Sequence, residues 1–361
     1  MILSRKVLAL SAWLTLAGVP CAAQSKRPAS PATDLPKGNV PAGTKRALVI
    51  CGHPGDEEHR KTFAETAARL HRGLTATAGI APENISVFFG IDPETDSPKP
   101  EGAATEDAVK EDTAKNAPLK DDAAQIAVPC EGPATREAVM AAIEKFRGEL
   151  QPDDSLWVIV FGHGHLDGRH VWINLPGPDI QQDDFGKLVK DLPCREQVFV
   201  IATPASGYYL KPLSATGRVV ITATEPDLEI NETLFAEALA DQLNSTAENP
   251  LRDEDQDGAI SLLDLYVAAT RGLSQKYIAE SLLMTEHALL DDNADGRGSE
   301  LQRDYLTPDE GGRRRAGSVP PQARRAGQDG TTAASLRLPV AVPPPAAAAP
   351  LADKVEPKGN D

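Results

Sequence analysis

The sequence predicts an α/β protein: a doubly wound, mostly parallel sheet with helices on both faces, followed by a C-terminal helical extension that carries acidic loops. Two observations point there. Short, almost wholly apolar runs recur along the chain, as in strands buried on both faces. Between them lie segments with apolar residues every three or four positions, as in amphipathic helices. Alternation of the two builds a parallel sheet covered on each side, with ligands expected beyond the carboxyl ends of the strands.

The chain has 361 residues, 41% hydrophobic and 4% aromatic, enough for one large core with appendages. Arg5 and Lys6 precede an apolar run over 7–19, and Cys21-Ala22-Ala23 closes it as a small-residue cleavage site. Residues 1–23 therefore read as a secretory signal peptide, which predicts an exported, periplasmic or extracellular protein. A lipid-modified Cys21 is the alternative, which Pro20 disfavours. The apolar run is too short to span a bilayer and no later segment is apolar enough, so the chain is expected not to be transmembrane. Residues 24–44, rich in Pro, Lys and Ala, form a flexible leader.

A core domain is expected over 45–248. Its elements are a strand at 45–51, a helix at 57–77 with Phe63, Ala67, Leu70 and Leu74 on one face, and a strand at 85–89. Residues 92–129 lack large apolar side chains and read as a disordered surface insertion. Periodicity resumes with a helix at 135–150, strands at 155–161 and 171–175, and a helix at 183–192. Strands at 197–202 and 218–224 and a helix at 231–244 complete the domain. Residues 249–310 are the acidic-loop extension. Residues 311–361, with Arg313-Arg314-Arg315 and Pro-Ala repeats, read as a disordered tail.

The formal charge is −16. It belongs to the body, since 1–23 and 311–361 are both net basic. A body that acidic repels nucleic acid and is compatible with cations. Beyond the signal lie Cys51, Cys130 and Cys194, of which Cys130 and Cys194 are the pair expected to join in an oxidising compartment.

Four strand ends hold the chemistry: Cys51-Gly52-His53, Gly162-His163-Gly164-His165, Thr203-Pro204-Ala205-Ser206-Gly207 and Thr222-Ala223-Thr224-Glu225. The arrangement resembles the caspase-like cysteine peptidases, the legumain branch in particular, in which one apolar strand ends in His-Gly and the next leads into Ala-Cys-x-Ser-Gly. The resemblance covers roughly 45–245 and implies that His163, followed by Gly164, is the catalytic histidine. Such a peptidase needs a thiolate to attack the scissile carbonyl, an imidazole to assist it, and backbone N–H groups for the oxyanion. Aligning Ser206-Gly207 puts Pro204 at the cysteine position. Proline offers neither a nucleophile nor an N–H.

Three substitute nucleophiles are open: Ser206, Thr203 and Cys51. Cys51 ends a strand that neighbours the one ending at His163 in such a fold. Its bland alternative is a small buried apolar residue. His53, His59, His165 and His170 read as solvent-facing, with a histidine metal cluster of His53, His163 and His165 as an alternative. His163 itself has a bland reading, a histidine held at a glycine turn.

The sharpest local motif is Asp253-Glu254-Asp255-Gln256-Asp257-Gly258-Ala259-Ile260-Ser261-Leu262-Leu263-Asp264. It matches a twelve-residue calcium loop, with Asp253, Asp255, Asp257, the Ala259 carbonyl, Ser261 and Asp264 as ligands and Gly258 at the turn. Asp264 replaces the usual glutamate. Asp291, Asn293 and Asp295 form a weaker second candidate, with Gly296 at the turn and no closing acid. The sequence thus predicts an exported pseudopeptidase that binds a peptide or protein partner, with calcium as cofactor. An active hydrolase using Cys51 or Ser206 with His163, or a calcium-stabilised structural or adhesion protein, are the alternatives.

Overall fold

A computed structural model describes residues 43–90, 130–321 and 327–342. The expected signal peptide, nearly all of the leader, the insertion at 92–129 and the end of the tail lie outside the described residues. The chain alternates β1 (Lys45–Cys51), α1 (Glu57–Ala76), β2 (Ile85–Phe89), β3 (Gly132–Pro133), α2 (Arg136–Glu149) and β4 (Ser155–Phe161). A small antiparallel layer follows, β5 (Gly164–Asp167), β6 (His170–Ile173) and β7 (Ile180–Gln181), leading into α3 (Gln182–Leu188). Then come β8 (Glu196–Ala202), α4 (Leu210–Leu213), β9 (Arg218–Thr222), α5 (Phe235–Leu243) and α6 (Leu262–Ala279). The short elements β10 (Leu289–Asp291), α7 (Gln302–Tyr305) and α8 (Thr331–Ser335) complete the order.

The main sheet has the order β10-β9-β8-β4-β1-β2-β3, parallel throughout except for β10, which runs antiparallel to β9. The fold class is therefore α/β with a mostly parallel sheet flanked by helices. Every residue of β4 is buried, which its unbroken apolar run requires. Alternate residues of β1 serve opposite faces: Ala47, Val49 and Cys51 meet α1, α5 and α6, while Leu48 and Ile50 meet α2 and α3. The strand order reverses at β1, between β2 and β4, and the cleft beyond their carboxyl ends is where such sheets hold ligands.

Three expectations are corrected. Cys130 and Cys194 are free thiols. Cys130 adjoins β3 and Cys194 adjoins β8, four strands away, or about 19 Å at strand spacing, far beyond the reach of a disulfide. The 249–310 stretch is not an appendage, because α6 packs on α5 in the main core and β10 joins the main sheet. Nor are 311–321 and 327–342 a disordered tail: Ala333 and Leu338 are buried, and Leu338 donates its N–H to the Ile260 carbonyl at 2.9 Å. Low-complexity composition hid those apolar contacts. The strand expected over 171–175 is one arm of the β5–β7 layer, whose other arms are too short to show a period.

Glu286 fastens the C-terminal part to the core. Its carboxylate accepts from the Leu234 N–H at 2.6 Å, the Phe235 N–H at 3.1 Å and the Tyr277 hydroxyl at 2.8 Å, capping α5. Burial nevertheless pushes the carboxyl up to about 7. Because the folded state then holds a proton that the unfolded chain releases near pH 4.5, this group's contribution falls as pH rises between those values. Urea unfolding from pH 5 to 8 should show wild type losing roughly 2–3 kcal/mol more than Glu286→Gln; identical slopes would mean the carboxyl is ionised throughout.

Candidate functional site

Glycines let the strand ends converge. Cβ atoms at Gly52, Gly90 and Gly162 would stand 2.7 Å from the Asn174 carbonyl, 2.2 Å from the Gly52 carbonyl and 2.9 Å from the Gly52 nitrogen. Gly162 also has φ +119°, which other residues rarely adopt. The Gly52 N–H donates to Phe161 O at 2.8 Å, His53 N–H to Asn174 O at 2.8 Å, and Asn174 N–H to His163 O at 3.1 Å. His163 is thereby fixed just beyond the carboxyl end of β4.

The half-buried His163 ring donates from Nε2 to the Pro54 carbonyl at 2.9 Å, since a carbonyl can only accept. Nδ1 makes no hydrogen bond among the described residues. The ring packs on Phe63, with centroids 5.2 Å apart, and on His59 at 4.8 Å. His59, expected to face solvent, is instead clamped: Nδ1 to Asp56 at 2.8 Å and Nε2 to Glu232 at 3.1 Å. The hydrogen bond that His59 donates to Asp56, aided by Glu232, raises the His59 pKa against its partial burial. Asp56 also caps α1, accepting the His59 N–H at 2.9 Å. The Asp56-x-x-His59 spacing at a helix start was the available signal; Pro54 and Glu232 gave none.

Phe161 pairs with Ala202 at the end of the β4–β8 ladder, so His163 and Pro204 each lie two residues beyond its last rung. A Cβ on Gly164 would lie 3.4 Å from the Thr203 Cβ and 3.6 Å from the Pro204 carbonyl. Pro204 is buried, and Ala205 beside it holds φ +53°, a left-handed conformation costing about 1 kcal/mol for alanine. Its N–H is anchored on Glu229 O at 2.8 Å.

None of the three substitute nucleophiles is presented to His163. Cys51 is 0% exposed and sits in the α1/α5 core, with its thiol bonded to the Gly52 carbonyl and pushed up strongly by burial. A thiol held neutral does not attack. Ser206 is also 0% exposed; its Oγ accepts from the Ala223 and Thr224 N–H groups at 3.0 and 3.1 Å and pairs with the Thr224 hydroxyl at 3.2 Å. It is a knot between the β8 and β9 ends. Thr203 is likewise 0% exposed. His165 stacks on Trp172 and bonds Asn174 Oδ1 at 2.7 Å, and His53 Nδ1 accepts the Gly55 N–H at 3.0 Å. These histidines do not assemble with His163 into a metal group: among the described residues, the only set of three or more metal-binding groups is Asp253, Asp255 and Asp257. A cavity of about 910 Å³ opens on the α3/α4 side, lined by Arg169, Tyr208, Lys211, Glu225 and Arg297, and His163 does not border it.

The first acidic loop brings carboxylate oxygens of Asp253, Asp255 and Asp257 within 4.8 Å of one another. Burial and the neighbouring carboxylates of Asp264 and Asp257 push Asp255 up to about 7. Asp264, the closing position, caps α6: it accepts from the Ser261 N–H at 2.7 Å, the Ser261 hydroxyl at 2.6 Å and the Glu254 N–H at 2.6 Å. Arg337 grips the Asp257 carboxylate with both terminal nitrogens. Nothing in the low-complexity tail flagged that arginine.

The second loop repeats three of the first loop's four bonds, lacking a counterpart to the Asp257 N–H bond to Asp253 at 3.0 Å. Gly296 N–H donates to Asp291 at 3.1 Å as Gly258 N–H does to Asp253 at 2.8 Å. Asp295 N–H donates to Asn293 at 2.9 Å as Asp257 N–H does to Asp255 at 3.3 Å. Arg297 N–H donates to Asp295 at 2.8 Å as Ala259 N–H does to Asp257 at 3.1 Å. Positive φ recurs at the fourth and sixth positions, Gln256 and Gly258 in one loop, Ala294 and Gly296 in the other.

No protein-family model matches the sequence, and a search of curated proteins finds no match. No helix among the described residues is long and apolar enough to cross a membrane.

The Ser206 knot makes a sharp stability prediction. Ser206→Ala strands the buried Thr224 N–H, while the Ala223 N–H keeps its bond to the Ile201 carbonyl at 3.0 Å, so urea unfolding should register a loss of about 1–3 kcal/mol; a loss under about 0.5 kcal/mol would mean that the knot does not hold the strand ends.

Proposed function

We propose that this chain is an exported, catalytically inert relative of the caspase- and legumain-like peptidases, which uses its strand-end cleft to hold a peptide or protein partner. The observation behind this reading is a positioned base to which no nucleophile is presented. His163 is oriented through Nε2 by the Pro54 carbonyl, leaving Nδ1 without a partner, as a base steered by a third group would be. Pro204 lies two residues beyond the last rung of the neighbouring strand, where the resemblance puts the nucleophile. A peptide lying in the cleft would meet an imidazole and glycine backbone but no attacking atom.

The test is hydrolysis of a broad fluorogenic peptide library by the mature protein, beside His163→Ala and Pro204→Cys. Wild type should give no turnover above His163→Ala. Pro204→Cys, which restores both a thiol and an N–H, should gain His163-dependent labelling by a peptidyl thiol-reactive probe. Turnover by wild type that vanishes in His163→Ala would overturn the inert reading. On a peptide array, binding should weaken in His163→Ala; unchanged binding would favour a structural protein in which the cleft is idle.

Calcium at the first acidic loop belongs to the same proposal. An all-oxygen donor set suits a hard cation, and the crowding that raises Asp255 is what a divalent ion would relieve. The ion would be held by Asp253, Asp255, Asp257, the Ala259 carbonyl, Ser261 and Asp264. Arg337 competes for Asp257, so Arg337→Ala should tighten calcium binding at this loop about tenfold by calorimetry. Weaker binding in that variant would mean Arg337 organises the loop rather than competing for it.

A further inference from the structure

The two acidic loops share a backbone but not a charge balance. In the first, Arg337 already answers the Asp257 carboxylate. In the second, no lysine or arginine among the described residues pairs with Asp291 or Asp295. Asp291 is 1% exposed, and while its Oδ2 accepts the Gly296 N–H, its Oδ1 is buried with no hydrogen-bond partner. A carboxylate oxygen left bare in the interior is costly unless something positive reaches it.

The loop also lacks its own closing acid. Its twelfth position is Gln302, whose amide is spent on the Tyr266 hydroxyl at 2.6 Å and the Ala288 carbonyl at 3.3 Å. A replacement arrives from elsewhere in the chain. Asp329, 5% exposed, accepts from the hydroxyl of Ser299, the ninth position, and from the Asp292 N–H at 3.3 Å. The two oxygens of Asp292 accept from Gly330 at 2.9 Å and Ala333 at 2.8 Å, which docks the segment bearing Asp329. A cavity of about 530 Å³ adjoins the loop, lined by Asn293, Asp295, Ser299 and Asp329 and also by Arg297, Arg303 and Arg313; Asp291 does not border it.

We infer that a divalent cation draws Asp291, Asn293 and Asp295 together into a site, closed by Asp329 from the C-terminal segment instead of by the loop's own twelfth residue; as they stand, the carboxylates of Asp291, Asp295 and Asp329 do not all lie within 4.8 Å of one another as those of the first loop do. Oxygen-only donors and a seven-residue backbone match to a calcium loop select calcium over softer ions. The ion would answer the bare Asp291 oxygen and lock the C-terminal segment against β10. The site stands whether or not the first loop or the cleft is occupied.

The full mature chain, stripped with EDTA, is titrated with calcium chloride by calorimetry and melted with and without calcium. Calcium should raise the melting temperature by about 5 °C or more at a hundredfold excess over Kd. Asp291→Asn and Asp329→Asn should each weaken one binding event at least tenfold, while Asp255→Asn leaves that event intact. In EDTA, Asp291→Asn should melt at or above wild type, because it removes an unanswered buried charge; a purely structural aspartate would melt lower. Should Asp291→Asn fail to fold by circular dichroism, Asp295→Asn replaces it, its side chain being at the surface. Calcium binding unchanged in Asp329→Asn and Asp291→Asn, or no calcium binding by wild type, overturns the site.

Discussion

The near-contact of backbone at Gly52, Gly90 and Gly162 is the constraint on which the cleft depends. Three chain turns meet at distances that no Cβ would permit, and the hydrogen bonds made across them fix the angle at which His163 leaves β4. The aromatic contacts with Phe63 and His59 follow from that angle, as does the bond to the Pro54 carbonyl. On the next strand, the turn through Pro204 and Ala205 is braced by the Ser206 knot and by the Glu229 carbonyl. The strand ends are thus held in one conformation by backbone contacts, and side-chain chemistry is placed upon them.

Strands at 45–51, 85–89 and 155–161 were legible in the sequence to the residue, because burial on both faces leaves no polar interruption to blur a boundary. The helix at Leu262–Ala279 follows the first acidic loop, as a calcium loop requires, and Ser261, read there as a loop position, caps it. The strand Leu289–Asp291 was not legible: three residues carry no period, and its pairing with β9 is set by tertiary contacts. The strand-end positions of His163 and Pro204 could be read from the chain, since strand order follows from alternation. Which way Cys51 faces could not be read, because it depends on the parity of a register that only the packed sheet reveals. His59 hid for the opposite reason: its partners Asp56 and Glu232 lie on different elements, and a helix-start histidine ordinarily meets water.

The segment at 327–342 changes the meaning of the acidic half. By composition it belonged to a tail, yet Arg337 reaches the first loop and Asp329 the second. One strap brings a cation to one loop and an anion to its twin. Two loops with the same backbone are thereby made electrostatically unequal by residues outside either of them, something that motif matching within twelve residues cannot register.

The three described thiols lie apart, two of them in the interior. Among the described residues the core therefore carries no disulfide, and its cohesion does not depend on oxidative cross-linking. The packing of these residues is indifferent to whether the surroundings are reducing or oxidising, and a disulfide isomerase finds no bond among them to form or exchange.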